Sequence, residues 1–299
     1  MTNANNARTW LITGCSTGFG RALAEAVLEH GVDAERLVGR HRLIATARKP
    51  EQLQDLVERY PQQVRTFALD VTDKDSIHSA VSQAKDAFGR IDVLVNNAGY
   101  GTVGAIEEVS DEAIERQYDT NVFGTLNMMR AVLPIMRQQH SGHILNLSSV
   151  GGMVSFAVAG IYCSTKFAVE GLSEALAKEV APLGIKVTIV EPGAFRTDFN
   201  GRSLSVPEEQ IDDYAETTGK FLAWAKQIDG NQPGDPEKAA QAMIQAVESD
   251  EPPLRLALSE DAVGAIEQKL QAVKSELDEW RSTSLATAFE GATIGAIGG

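Results

Sequence analysis

The sequence predicts a single α/β domain built on a doubly wound parallel sheet, and three observations carry that prediction. Short apolar runs rich in Val, Ile, Leu and Thr alternate with longer amphipathic segments along most of the 299 residues, which is the pattern of strands joined by crossover helices. A glycine-rich stretch follows the first apolar run directly. The composition, 43% hydrophobic and 23% charged, is that of a globular chain able to bury a large core.

In chain order, strands are expected at residues 9–13, 42–47, 64–69, 91–96, 143–147, 186–190 and 254–258, where branched side chains concentrate. Helices are expected at 19–30, 50–60, 73–88, 111–139, 162–181 and 236–249, where apolar residues return at steps of three and four. Residues 194–234 break this rhythm. They form a long segment after the sixth strand, with one helical stretch carrying Ile211, Tyr214, Phe221, Leu222 and Ala225. Ligands sit at the carboxyl edge of such sheets, so a substrate-binding lid is expected there. A charged amphipathic helix is expected at 262–282, and the closing residues hold too many glycines for a regular element. The chain therefore divides into a domain at 1–260 and a C-terminal helix and tail at 261–299.

Charge excludes some partners. The formal net charge is −14 without a Lys/Arg cluster to offset it, so no nucleic-acid partner is expected. Cys15 and Cys163 are the only cysteines and stand in no ligand spacing, so neither a disulfide framework nor a metal site is expected. The polar start lacks a signal pattern, and no apolar run approaches the roughly 20 residues that span a bilayer. A cytoplasmic protein with no membrane span is expected.

The chemistry-bearing residues fall at strand ends. Gly14-Cys15-Ser16-Thr17-Gly18-Phe19-Gly20 lies between the first strand and first helix, where glycines let backbone N–H groups approach a pyrophosphate at a positive helix end. The fourth strand ends in Asn96-Asn97-Ala98-Gly99, and the fifth in Ser148-Ser149. Tyr162 and Lys166, four apart on one helix, face the same cleft.

This set resembles the short-chain dehydrogenase/reductase family over roughly residues 9–247, and the resemblance implies a Rossmann-type sheet. The matches are Gly14/Gly18/Gly20, Asn96–Gly99, Asn121, Ser149, Tyr162/Lys166 and Pro192-Gly193. Carried over, Tyr162 is the general acid/base, Lys166 its cationic helper and holder of the nicotinamide ribose. Ser149, thirteen residues before Tyr162, orients the substrate oxygen, and Asn121 anchors a relay water. A phenol titrates near 10, so work near pH 7 asks for about 4 kcal/mol of anion stabilisation. An ammonium at roughly 5 Å in an effective dielectric of about 20 supplies about 3 kcal/mol, so Lys166 is expected to carry most of that shift.

The resemblance further implies cofactor contacts at Gly14, Cys15, Ser16, Thr17, Gly18, Phe19 and Gly20, at Asp70 and Val71, and at Asn97, Ala98 and Gly99. Pro192, Gly193, Phe195 and Thr197 complete the set. At the end of the second strand Ala47 stands where NAD-preferring relatives tend to place an acid, and Arg48 follows. A guanidinium fork suits a 2′-phosphate, so NADP is expected over NAD. The expected reaction interconverts a ketone or aldehyde and an alcohol. Val154, Phe156, Phe195, Phe199, Phe221 and Trp224 point to a lipophilic small-molecule substrate. The alternatives are a silent nucleotide-binding sensor or scaffold, a β-ketoacyl thioester reductase, and an epimerase or dehydratase of the extended branch. Relatives pair through the helices at 111–139 and 162–181, so a homodimer or homotetramer is implied. One departure stands out: residues 32–41 make an unusually long join on the far side of the sheet.

Overall fold

Trp10, Leu11 and Ile12 are fully buried because their strand, β1 (Thr9–Ile12), lies mid-sheet with helices on both faces. The computed structural model describes residues 7–30, 41–199, 204–207 and 210–292. The other strands of the sheet are β2 (Arg42–Ala47), β3 (Val64–Ala68), β4 (Val93–Asn96), β5 (Gly142–Leu147), β6 (Ile185–Pro192) and β7 (Arg255–Leu258). All pairings are parallel, in the order β3-β2-β1-β4-β5-β6-β7. Strand order reverses between β1 and β4, which opens a crevice at their carboxyl ends.

Side chains alternate across each strand, so Trp10 and Ile12 enter one layer and Leu11 the other. The first layer is covered by α1 (Gly18–Glu29), α2 (Gln54–Arg59) and α8 (Pro236–Glu248), through Leu23, Val27, Leu56, Met243 and Ile244. The second is covered by α3 (Lys74–Phe88), α5 (Thr125–Gln139) and α6 (Gly160–Val180), through Ile77, Met128, Val132 and Leu176. Asp73 caps α3 by accepting from the N–H groups of Asp75 and Ser76.

The helix expected at 111–139 is present with an interruption. It runs as α4 (Asp111–Tyr118), one π-helical turn at Asp119–Gly124, and then α5. At that turn the backbone comes so close to the loop after β3 that a Cβ on Gly124 would stand 2.8 Å from Val71 Cγ2. Such insertions concentrate at functional sites, and this one contains Asn121.

The segment after β6 holds α7 (Lys220–Ile228), preceded by a 3-10 turn at Asp212–Tyr214 and a π turn at Ala215–Gly219. A two-residue parallel pairing of Gly101–Thr102 with Leu204–Ser205 ties this segment to the loop after β4, which the pattern did not foretell. The chain continues into α9 (Glu260–Glu279) and α10 (Arg281–Leu285). The long join at 32–41, apart from His41, and the tail from 293 onward lie outside the described residues. Cys15 and Cys163 are free and buried. Among the described residues, no helix is long and apolar enough to cross a membrane.

Candidate active site

The glycine turn is locked to the end of β4. Thr13 Oγ1 accepts from the backbone N–H groups of Asn97 and Ala98, both at 2.9 Å. Asn97 Nδ2 donates back to the carbonyls of Thr13 and Gly14 at 2.8 and 3.0 Å. Gly14 and Gly18 have φ of 71° and 58°, a region glycine enters without steric cost. A Cβ on Gly20 would lie 2.4 Å from both Asn97 Nδ2 and Gly14 O, so only glycine fits. Thr17 starts α1 without a side-chain cap, leaving first-turn N–H groups open at the positive end of the helix.

Ser16, Thr17, Gly18 and Phe19 are half-buried along the rim of this turn. Cys15 is different: its N–H donates to Thr46 O at 2.8 Å and its thiol to Ile12 O at 3.2 Å. Burial pushes that thiol up to about 12. Cys15 therefore shapes the turn from inside, and its side chain cannot reach the crevice.

The other residues expected to contact a dinucleotide border the same crevice. Arg48 and Lys49 are exposed at the end of β2, beside the buried Ala47. After β3, Asp70 Oδ1 accepts from the N–H and hydroxyl of Thr72 at 2.9 and 2.7 Å, and Val71 is buried. After β6, Pro192 and Gly193 turn the chain, with Gly193 N–H donating to Leu258 O at 3.1 Å. Phe195 packs edge-on to Phe19 at 5.0 Å. Thr197 Cβ is 3.7 Å from where a Cβ on Gly18 would stand, so Thr197 overlies the glycine turn. The open helix end, the glycine-only approach at Gly20 and the exposed cations beyond β2 together fit a phosphorylated dinucleotide.

Ser149, Tyr162 and Lys166 come together beside this cradle. Ser149 Oγ accepts from Gly151 N–H at 3.0 Å, donates to Pro192 O at 3.5 Å, and lies near enough to the Tyr162 phenol to draw its titration down. Its neighbour Ser148 points instead toward Glu170. Lys166 Nζ lies 5.7 Å from the Tyr162 ring centre and donates to Leu147 O at 2.7 Å. Asn121 Oδ1 accepts from Tyr100 N–H at 3.1 Å, while its Nδ2 donates to Tyr100 O at 2.9 Å and to Thr165 Oγ1 at 3.1 Å. A Cβ on Gly99 would stand 3.1 Å from Asn121 Oδ1 and 3.8 Å from Lys166 Nζ, which marks Gly99 as the gap where these groups converge.

Electrostatics depart from the sequence expectation at one point. Burial pushes the Tyr162 phenol up to about 12, against a downward pull from Ser149. Lys166 is itself brought down to about 8 by burial, which a Glu170 carboxylate opposes. Desolvation is the largest influence on the phenol, and the ammonium expected to lower it is not among the groups that shift it. The helix spacing correctly put both groups on one face, but it carries no information about how dry that face becomes.

An apolar wall adjoins Tyr162. Val103, Ala159 and Cys163 are buried together, and Tyr162, Leu204, Phe221 and Leu222 pack on them. Phe199 lies 5.5 Å from the Tyr162 ring, and Phe221 lies 5.5 Å from Trp224. Behind the site is a charged group that the sequence reading missed. Glu170 and Glu191, both buried, face Arg255 Nε at 3.3 and 3.4 Å. The step of four from Lys166 to Glu170 was a readable sign of one end of it.

Comparison with known proteins identifies the family. A family model described as short chain dehydrogenase matches residues 8–206. Oxidoreductase BOA17 of Botryotinia fuckeliana is 41% identical over 94% of this chain and 99% of its own. A 3-ketodihydrosphingosine reductase of Bacteroides thetaiotaomicron is 41% identical, covering 82% of this chain and 85% of its own. A solved short-chain dehydrogenase from Streptomyces avermitilis superposes with a TM-score of 0.85 at 45% identity, over 95% of this chain and all of the other. The chain belongs to the short-chain dehydrogenase/reductase family. It is an NAD(P)-dependent oxidoreductase that interconverts CH–OH and C=O groups.

Proposed function

We propose that the protein is an NADP(H)-dependent reductase of a lipophilic ketone or aldehyde, with Tyr162 as its general acid. One observation carries the reading: Tyr162, beside Ser149 and with its ring centre 5.7 Å from Lys166 Nζ, faces an apolar wall beside a dinucleotide-shaped cradle. The bound nicotinamide supplies hydride to the carbonyl carbon. Tyr162, held protonated by burial, donates its proton to the carbonyl oxygen as negative charge develops there. Ser149 steadies that oxygen with a hydrogen bond that strengthens along the reaction. Lys166 orients the nicotinamide ribose and stabilises the phenolate that remains. Both Nδ2 protons of Asn121 are taken, by Tyr100 O and Thr165 Oγ1, and its Oδ1 accepts from Tyr100 N–H. Asn121, whose carbonyl also accepts from the Thr125 hydroxyl at 2.8 Å, would anchor a relay water linking Lys166 to solvent.

Gly14, Ser16, Thr17, Gly18, Phe19 and Gly20 hold the pyrophosphate, with Asp70, Val71, Asn97, Ala98 and Gly99 under the adenosine half and along the crevice. Pro192, Gly193, Phe195 and Thr197 grip the carboxamide end. Arg48, exposed beside a small, buried Ala47, supports a 2′-phosphate partner, which is the case for NADP. A lipophilic substrate is supported by the wall of Val103, Leu204, Phe221 and Leu222 and by the named reductase of a ketosphingoid lipid. Residues 194–234 act as the lid. Phe123 and Phe167, half-exposed on the helices through which relatives pair, support a homo-oligomer of two or four subunits.

The test is consumption of NADPH with a panel of long-chain and polycyclic ketones, comparing the native enzyme with Tyr162→Phe. Turnover is expected to fall by at least about 100-fold with NADPH affinity retained, the usual reach of general acid catalysis. A native enzyme that binds NADPH and oxidises it with no carbonyl in the panel would overturn the reading.

A further inference from the structure

Helix α9 presents an apolar seam that none of the described residues covers. From Glu267 to Ala292 every residue is exposed, although the start of the helix is clamped where Asp261 Oδ2 accepts from Ala194 N–H at 2.8 Å. Val263, Ile266, Leu270, Val273, Leu277 and Trp280 follow one another at alternating steps of three and four. That is a 3.5-residue period, the repeat of a helix made to pack along another helix in a left-handed pair. Leu270 and Leu277 remain 56% and 53% exposed, so the seam has no partner within its own subunit among the described residues.

The flanking charges specify the partner. We propose that α9 pairs antiparallel with α9 of a second copy of this chain, across a two-fold axis between Leu270 and Val273. Val263 of one copy then meets Trp280 of the other, Ile266 meets Leu277, and Leu270 meets Val273. In that register the flanking positions bring Glu267 to Lys274, Lys269 to Glu276 and Glu260 to Arg281, each twice by symmetry, and all are opposite in sign.

The alternatives are penalised by the same residues. A parallel pair places Lys269 against Lys274. An antiparallel pair slid one heptad in one direction sets Glu267 on Glu267 and Lys269 on Lys269. Slid in the other, it sets Lys274 on Lys274 and Glu276 on Glu276. Only the proposed register is free of like-charge contacts. Within one helix Lys274 and Arg281 also touch Asp278; such exposed pairs are weak and leave both cations able to turn to a facing carboxylate.

The test uses the full-length purified protein. Sedimentation equilibrium of Lys269→Glu is expected to show one association step weakened by roughly tenfold or more, since two exposed pairs invert their sign. Adding Glu276→Lys to the same chain should restore it, which a folding defect would not do. Register is read by crosslinking. The double variant Val263→Cys/Trp280→Cys is expected to form disulfide-linked dimers, whereas Val263→Cys alone is not. At about 1.5 Å of rise per residue, two Val263 positions stand roughly 25 Å apart in the antiparallel pair. Crosslinking by the single variant would replace the antiparallel arrangement with a parallel one. Association indifferent to every one of these changes would refute self-pairing and leave the seam to a different class of partner.

Discussion

Arg255 lies behind Lys166, and replacing it with Met should destabilise the fold in a pH-dependent way. Its Nε sits 3.3 Å from Glu170 Oε2 and 3.4 Å from Glu191 Oε1, and its Nη2 lies 2.8 Å from Glu174 Oε2. Burial raises the Glu170 carboxyl. Burial, with the like charge of Glu170, pushes Glu191 up to about 7 against the pull of Arg255. A carboxyl raised by folding binds protons better in the native than in the unfolded chain. Its contribution is therefore complete below the ordinary carboxylate range and is lost as pH rises through about 7. At 1.36 kcal/mol per unit, keeping Glu191 ionised above that point costs about 3 kcal/mol. Removing the cation that offsets this adds about 3–5 kcal/mol, the usual penalty for breaking a buried ion pair. Urea unfolding near about pH 5 and about pH 8 should show a small loss for Arg255→Met in acid and the full loss in base. Glu191→Gln should do the reverse, gaining stability relative to the native protein only at the higher pH. Losses of equal size at both pH values would refute the argument, because they would assign Arg255 to packing alone.

Other consequences follow from the same geometry. Gly20→Ala forces a methyl to within 2.4 Å of Asn97 Nδ2 and Gly14 O. Cofactor affinity by fluorescence titration should drop at least about tenfold, alongside a stability loss of about 1–3 kcal/mol; an unchanged affinity would mean the turn is not the pyrophosphate cradle. Ala47→Asp with Arg48→Ala should shift the ratio of kcat/KM from NADPH toward NADH by about 10–100-fold, the worth of one charge-assisted contact. An unmoved ratio would remove Arg48 from the site. His143, brought down to about 3 by burial and the nearby Lys186 and Arg8, is buried neutral with a ring nitrogen 2.9 Å from Thr188 Oγ1. Its contribution is present above the ordinary imidazole value and lost as pH falls toward about 3. His143→Gln should therefore flatten the decline of Tm below about pH 6, and an identical acid slope in the two proteins would exclude His143 as its source.

Much of the fold and the candidate site could be read from the amino acids because the signals were local. Each of the seven sheet strands is a concentrated apolar run, and their ends carry the glycine turn, Asn96–Gly99 and Ser149 in chain order. Tyr162 and Lys166 share a helix face by spacing alone, and the count of thirteen selects Ser149 over Ser148. Helix periodicity also foretold α9, whose heptad step is a property of sequence.

Tertiary structure decided what depends on groups distant along the chain. Periodicity could not show the π-helical turn at Asn121, because that turn accompanies close packing of Gly124 on Val71. Nor could it show that Cys15 turns inward, that Thr13 clamps Asn97, or that Arg255 joins Glu170 and Glu191 from a strand far along the chain. The upward move of Tyr162 to about 12 belongs to the same group. A residue's spacing along a helix fixes which neighbours it can face, whereas its charge state is set by how much water the whole fold excludes around it.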